Sequence, residues 1–143
     1  MFNLKVKGSL VSTIEAIKNQ KNSIEGKNDF YQRLAQLINS SIQIRVQKDG
    51  IGSDGKKMSP YSRKYEQWKR SKGRKTGYRD LTFTGNMFKS LTSENYQKGA
   101  RMFFNSAAET NKARGNELKS PFFGISPREK EIIRRELRKL LIK

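Results

Sequence analysis

The chain contains no cysteine and no histidine. The first absence removes any disulfide framework and any thiolate metal site. The second removes imidazole ligands and histidine-based general acid–base catalysis. No apolar run approaches the roughly 18 residues needed to cross a bilayer, and the opening MFNLKVKGSLVST is too polar for a secretory signal peptide. A cytosolic origin is therefore expected. Apolar material is scarce: Leu, Ile, Val and Phe account for 32 of 143 residues. That share lies barely above the roughly 20% below which a highly charged chain remains disordered. Acids are scarce too, 13 against 31 Lys and Arg, for a formal charge of +18.

What is present is positive charge in one place. Between Lys56 and Arg79 stand ten Lys or Arg and a single acid, Glu66. Such a concentration either faces a polyanion or forms a solvated basic face that aids solubility, and both readings stay open. The length suits one domain, residues 1–143, with flexible segments expected near 49–58, 71–80 and 106–120. The expected fold class is α+β: three or four helices on a small antiparallel sheet, with a long basic loop or arm.

Local patterns place the elements. Phe2, Leu4 and Val6 alternate as a short strand, and Leu10, Ile14 and Ile17 share a helical face. Asn28 or Asp29 is positioned to cap a helix on which Phe30, Leu34, Leu37, Ile38 and Ile42 recur, continuing toward Asp49-Gly50. Gly50, Gly52 and Gly55 have the spacing of a dinucleotide fingerprint. No buried strand precedes them and Pro60 stands where the helix belongs, so a flexible loop is expected. Ser59 and Pro60 then read as N-cap and first residue of a helix with Tyr61, Tyr65 and Trp68 on one face. Aromatics interleaved with basic residues can stack bases, but a stripe at this spacing more commonly faces the core, and that is the expectation. KRSKGRKTGYRD is expected to be an arm ordered by a partner or by DNA.

Two greasy pieces flank a turn in RDLTFTGNMFKSL. Thr84 is expected to cap a short helix through the N–H of Asn86 or Met87, with Gly85 allowing close backbone approach and Met87, Phe88 and Leu91 turned inward. SENYQKGARMFFNS reads as a hairpin turning at Lys98-Gly99, with Tyr96, Met102 and Phe104 inward and Phe103 opposite. AAETNKARGNELK reads as loop with at most one helical turn. Ser126, Pro127 and Glu129 fit a capping box ahead of a terminal helix whose apolar face holds Ile133, Leu137, Leu140 and Leu141.

The order of these pieces, a loop with Asp-Gly, then SPYSRKYEQWKRSKG, LTFTGNMFKSL and PFFGISPRE before the last helix, resembles the phage virion morphogenesis, or tail-completion, family. The likeness runs from about Ser53 to the C-terminus. It implies a non-enzymatic structural protein of the phage neck or tail end (head–tail joining), made in the host cytoplasm and resident in the virion. Such a protein assembles as a ring with its own copies. The implied partners are other neck or tail proteins and packaged DNA, with no membrane and no small-molecule substrate.

Within that expectation Arg63, Lys64, Lys69, Arg70, Lys72, Arg74 and Lys75 are the polyanion- or partner-facing set. Leu81, Phe83, Thr84, Gly85, Met87, Phe88, Leu91, Phe122 and Phe123 are the fold-locking set. A stand-alone basic nucleic-acid-binding protein is the alternative. A metal-dependent enzyme would need converging carboxylates. The acids are scattered instead, with Glu129, Glu131 and Glu136 read as ordinary helix pairs among Arg and Lys. No catalytic, cofactor-binding or metal-binding residue is assigned.

Overall fold

The computed structural model describes residues 27–97 and 99–142. The strand expected around Phe2–Val6 and the helix around Leu10–Ile17 lie outside the described residues. In chain order the elements are α1 (Lys27–Gln47), α2 (Arg63–Ser71), α3 (Asn86–Lys89), β1 (Leu91–Tyr96), β2 (Gly99–Phe104), α4 (Ala107–Lys119) and α5 (Pro127–Leu141). This is an α+β fold, with five helices and one two-stranded antiparallel sheet among the described residues.

α1 is the spine. It packs on both strands and on α5. Leu34, Ile38, Ile42 and Val46 are buried along one stripe, and Leu37 and Ile44 are left outside. Side chains of α1 also tie it to β1, through Gln32 Nε2 to Ser93 O (3.3 Å) and Asn39 Nδ2 to Leu91 O (3.2 Å). Asn28 and Asp29 lie within the helix rather than capping it, because it already runs at Lys27. The alternation of Ile42, Ile44 and Val46 is a by-product of helical spacing, and the helix continues through it.

The hairpin pairs Leu91 with Phe104, Ser93 with Met102 and Tyr96 with Gly99. Side chains alternate across a strand, so Leu91, Met102 and Phe104 enter the core. Tyr96 does not follow them, contrary to expectation. Opposite Gly99 it lies on the outer face with Phe103, where the Arg101 guanidinium covers both rings at 4.6 and 5.4 Å. The segment after β2 is a second correction. It forms the 13-residue helix α4 instead of a loop. Ser106 Oγ accepts from Glu109 N, Thr110 Oγ1 donates to the carbonyl oxygens of Phe104 and Ser106, and Ala113 is fully buried.

Residues 49–58 form a loop that closes on itself through an Ile51–Lys57 bridge, Gly52 N to Lys56 O (2.8 Å) and Met58 N to Gly50 O (2.9 Å). It is sewn to the approach of α5 by Ser53 N to Pro121 O (3.0 Å). Gly52 is required here by proximity, since a Cβ would stand 2.5 Å from the Pro121 carbonyl oxygen. Gly52→Ala is expected to lower stability by about 1–3 kcal/mol through overpacking, read as a lower urea midpoint at unchanged m-value. An unchanged midpoint would show that the Pro121 segment yields freely.

α5 begins as its sequence dictates. Ser126 Oγ accepts from Arg128 N, Pro127 occupies the first turn and the Glu129 side chain accepts from Ser126 N. Glu129 does more than cap, and it is not an ordinary surface pair. Fully buried, it accepts from Ser41 Oγ (2.6 Å) and from Arg45 Nε (3.2 Å) of α1. Arg45 also donates to the carbonyl oxygens of Ile51, Phe122 and Gly124. One buried guanidinium thus joins α1, the 49–58 loop and the Phe122–Gly124 segment to α5.

Candidate functional site

The fold-locking residues divide in two. Leu81, Met87, Phe88, Leu91, Phe122 and Phe123 are in the core, with Phe88 and Phe122 edge-to-face at 6.1 Å and Phe104 and Phe123 at 5.3 Å. Thr84 is exposed, and its Oγ1 accepts from Asn86 N (3.3 Å) as expected. Gly85 holds the cap position of α3 at φ 83°. An added Cβ there would touch only the tip of Lys89, so left-handed backbone, and not close approach of another chain segment, demands glycine. Phe83 is half-buried and belongs to a second structure.

That second structure is an aromatic row. Ring centroids run Tyr61–Tyr65 4.9 Å, Tyr65–Trp68 5.5 Å and Trp68–Phe83 4.8 Å, the last pair stacked at 22°. The row was expected to face the core. Instead Tyr65 is 36% and Trp68 46% exposed. The helix beneath it also starts later than Ser59-Pro60 suggests, with Ser62 as N-cap accepting from Tyr65 N. Arg79, buried, donates to Ser59 O (2.6 Å) and Pro60 O (2.9 Å), and its guanidinium lies 5.1 Å from the Tyr61 ring. These bonds tie the segment 59–62, which precedes the helix, to Arg79.

A buried charge anchors the row. Lys69 Nζ donates to Asp80 Oδ1 at 2.5 Å and to Tyr61 Oη at 3.3 Å, and it lies 4.7 Å from the Tyr61 ring centre. Tyr61 Oη donates to Asp80 Oδ1 and accepts from Leu81 N, both at 3.0 Å. Burial, reinforced by the Asp80 charge, holds the Tyr61 phenol well above its ordinary value. These bonds also hold Leu81 in a left-handed conformation, φ 52°, that a branched side chain rarely adopts.

Lys69 therefore leaves the expected polyanion-facing set: it has no exposed surface and its charge is spent on Asp80. Arg63, Lys64, Arg70, Lys72, Arg74 and Lys75 are exposed as expected. Arg70 pairs with Glu66, Arg74 lies over Phe83 at 5.4 Å and Lys75 over Tyr78 at 5.5 Å.

Between the aromatic row and α4 runs a groove of about 640 Å³. Tyr61, Tyr65, Trp68 and Phe83 supply its aromatic lining, Leu81 and Met87 add aliphatic surface, and α4 contributes Glu109, Lys112, Asn116 and Lys119. Glu109 is 8% exposed. Its Oε1 accepts from Lys112 Nζ at 2.8 Å, and its Oε2 is buried with no hydrogen-bond partner among the described residues. A buried carboxylate oxygen without a donor is costly and uncommon. Sequence reasoning missed this wall because it read α4 as loop. The Ser106-x-x-Glu109 spacing was the available signal of a helix start.

Among the described residues no helix is long and apolar enough to cross a membrane, and no three or more acidic side chains are placed to hold a metal ion. Comparisons with protein-family models, with curated proteins and with solved structures found no match.

Proposed function

We propose that the chain is a structural subunit of a phage neck or tail end, a tail-completion or head–tail joining protein that forms a ring with its own copies around the DNA path. It acts without catalysis, cofactor or small-molecule substrate, touches other neck or tail proteins and packaged DNA, and resides in the virion after synthesis in the host cytoplasm. The observation that carries the reading is the unneutralised positive surface at and beyond α2. Among the described residues Arg63, Lys64, Lys72, Arg74 and Lys75 are exposed with no acid paired to them, and of this set Arg70 alone has a carboxylate partner there. A surface of that kind attracts a polyanion, releasing counterions as it binds. Leu118 at 90% exposed and Ile142 at 84%, on different elements, supply apolar area for neighbouring subunits to cover.

Reversal of Arg70, Lys72, Arg74 and Lys75 together to glutamate is expected to leave the circular dichroism spectrum unchanged and to abolish DNA retention in particles. Unchanged particle yield and infectivity would count against the role. Mass spectrometry of purified particles tests residence, and absence of the chain there ends the virion reading. A stand-alone nucleic-acid-binding protein is the second reading, favoured by the exposed Trp68 stacked on Phe83. It is distinguished by binding whose affinity falls steeply with salt in a chain that never enters particles.

A further inference from the structure

We infer that the cleft between α1 and α5 seats a segment of the same chain, residues 10–17, folded back along α1 as its antiparallel neighbour. The inference stands apart from the virion and nucleic-acid readings, and each can fail without the others. The cleft measures about 720 Å³. Phe30, Leu34 and Leu37 line it from α1 and Leu140 from α5, with Arg33 and Lys139 among its polar lining. Leu37 is 40% exposed, so the described residues leave apolar surface there uncovered. Phe30 stands three residues into α1, so the cleft opens where residues 1–26 join the described chain.

Leu10, Ile14 and Ile17 recur at i, i+4 and i+7, and so do Phe30, Leu34 and Leu37. At about 1.5 Å per residue each row is about 10 Å long, so the two faces match in length. A helix as short as 10–17 is marginal in water, where roughly 12 residues or more are needed, and its apolar face must find a surface. Residues 18–26, KNQKNSIEG, supply the return and are polar but for Ile24. Fully extended they reach roughly 30 Å, well beyond the length of the row, and connections of about this size join antiparallel helices. The charges agree as well. Glu15 is the sole ionisable side chain of 10–17, and Arg33 at the cleft is exposed with no acid paired to it among the described residues. A free partner would lose translational freedom on docking, whereas a tethered segment is present at roughly millimolar effective concentration. The chain's own segment is therefore favoured over a second copy.

The chain has no cysteine, so two introduced thiols are the only ones present. In the full chain, Ile14→Cys with Leu37→Cys is expected to be bridged by a short bis-maleimide within one molecule, at a rate unchanged by dilution. Ile14→Cys with Leu118→Cys, on α4 and outside the cleft lining, is expected to bridge about tenfold more slowly. If Leu37→Cys does not fold, Arg33→Cys, at an exposed position of the same cleft, takes its place. Ile14→Asp and Leu37→Asp are each expected to lower the urea midpoint. Together they are expected to lower it no further than the larger single loss, because either change alone already frees the segment. Bridges between copies would overturn the inference by making a second copy the occupant. Equal rates for the two cysteine pairs, no loss from Ile14→Asp, or additive midpoint losses would overturn it outright.

Discussion

Arg45→Ala is expected to remove about 3–5 kcal/mol of stability, a large share of the total of about 5–15 kcal/mol that a domain possesses. The guanidinium is 1% exposed. It serves the Glu129 carboxylate and the carbonyl oxygens of Ile51, Phe122 and Gly124. Its removal takes this donor from all four acceptors and leaves the fully buried Glu129 charge with serine donors but no counter-charge. Arg45→Met, which restores volume but not charge, is expected to recover little, because the Glu129 charge remains without its cation. The double change Arg45→Met, Glu129→Leu is expected to recover only the part of the loss that comes from the unpaired Glu129 charge, because the carbonyl oxygens of Ile51, Phe122 and Gly124 still lack their donor and Ser126 N loses its cap. Urea midpoints for the three variants decide the matter. Equal midpoints for Arg45→Met and the double variant would refute the electrostatic account.

The same network predicts an acid limb. Burial acts to raise the Glu129 pKa, but hydrogen bonds from Ser126 and Ser41, followed by the Arg45 charge, outweigh it and hold the carboxyl below its ordinary 4.5. A carboxyl with a depressed folded pKa contributes stability that is complete above the unfolded value. That stability is lost as pH falls through the folded one. Glu129→Gln is expected to flatten stability below about pH 4.5 while lowering it at neutral pH. Unfolding midpoints across an acid pH series measure this.

Lys69→Ala is the second large effect, again about 3–5 kcal/mol, and it reaches the groove. The ammonium is the buried counter-charge of Asp80 and sits against the Tyr61 ring. Without it Asp80 is left buried with, among the described residues, only Tyr61 and Thr82 as donors, so the foundation of the aromatic row loosens. Trp68 emission is expected to shift toward that of a solvated indole under conditions where the fold survives. Destabilisation without any change in that emission would separate the anchor from the row. Tyr61 adds an alkaline limb of opposite sense to that of Glu129. Its phenol is held neutral in the fold, by burial first and the Asp80 charge second, while the unfolded phenol ionises near 10.0. Stability is therefore lost as pH rises above that unfolded value. Tyr61→Phe is expected to weaken this alkaline loss at a cost of about 1 kcal/mol for the hydrogen bonds removed.

The candidate site was half legible. Its aromatics were visible at i, i+4 and i+7, and so were the cations around them, because spacing and composition are properties of the chain alone. Their exposure was not. Tyr65 and Trp68 face a groove whose far wall, α4, lacks an apolar stripe and is held by Ser106, Thr110 and one buried alanine. Glu109 acquires its meaning only from that wall.

Elements with strong local signals were determined by sequence: the α1 stripe of Leu34, Ile38 and Ile42, the capping box at Ser126, and the inward Met87, Phe88 and Leu91. Each depends on interactions within a few residues, which the order of side chains specifies. Tertiary structure decided the rest. Arg45 falls on the Ile38–Ile42 face at helical spacing, and Lys69 stands four residues after Tyr65, yet either could have reached water. What buries them is a partner far along the chain, Glu129 in one case and Asp80 in the other. A charge enters a core only where an opposite charge and enough acceptors or donors converge on it, and convergence across the fold is invisible to periodicity.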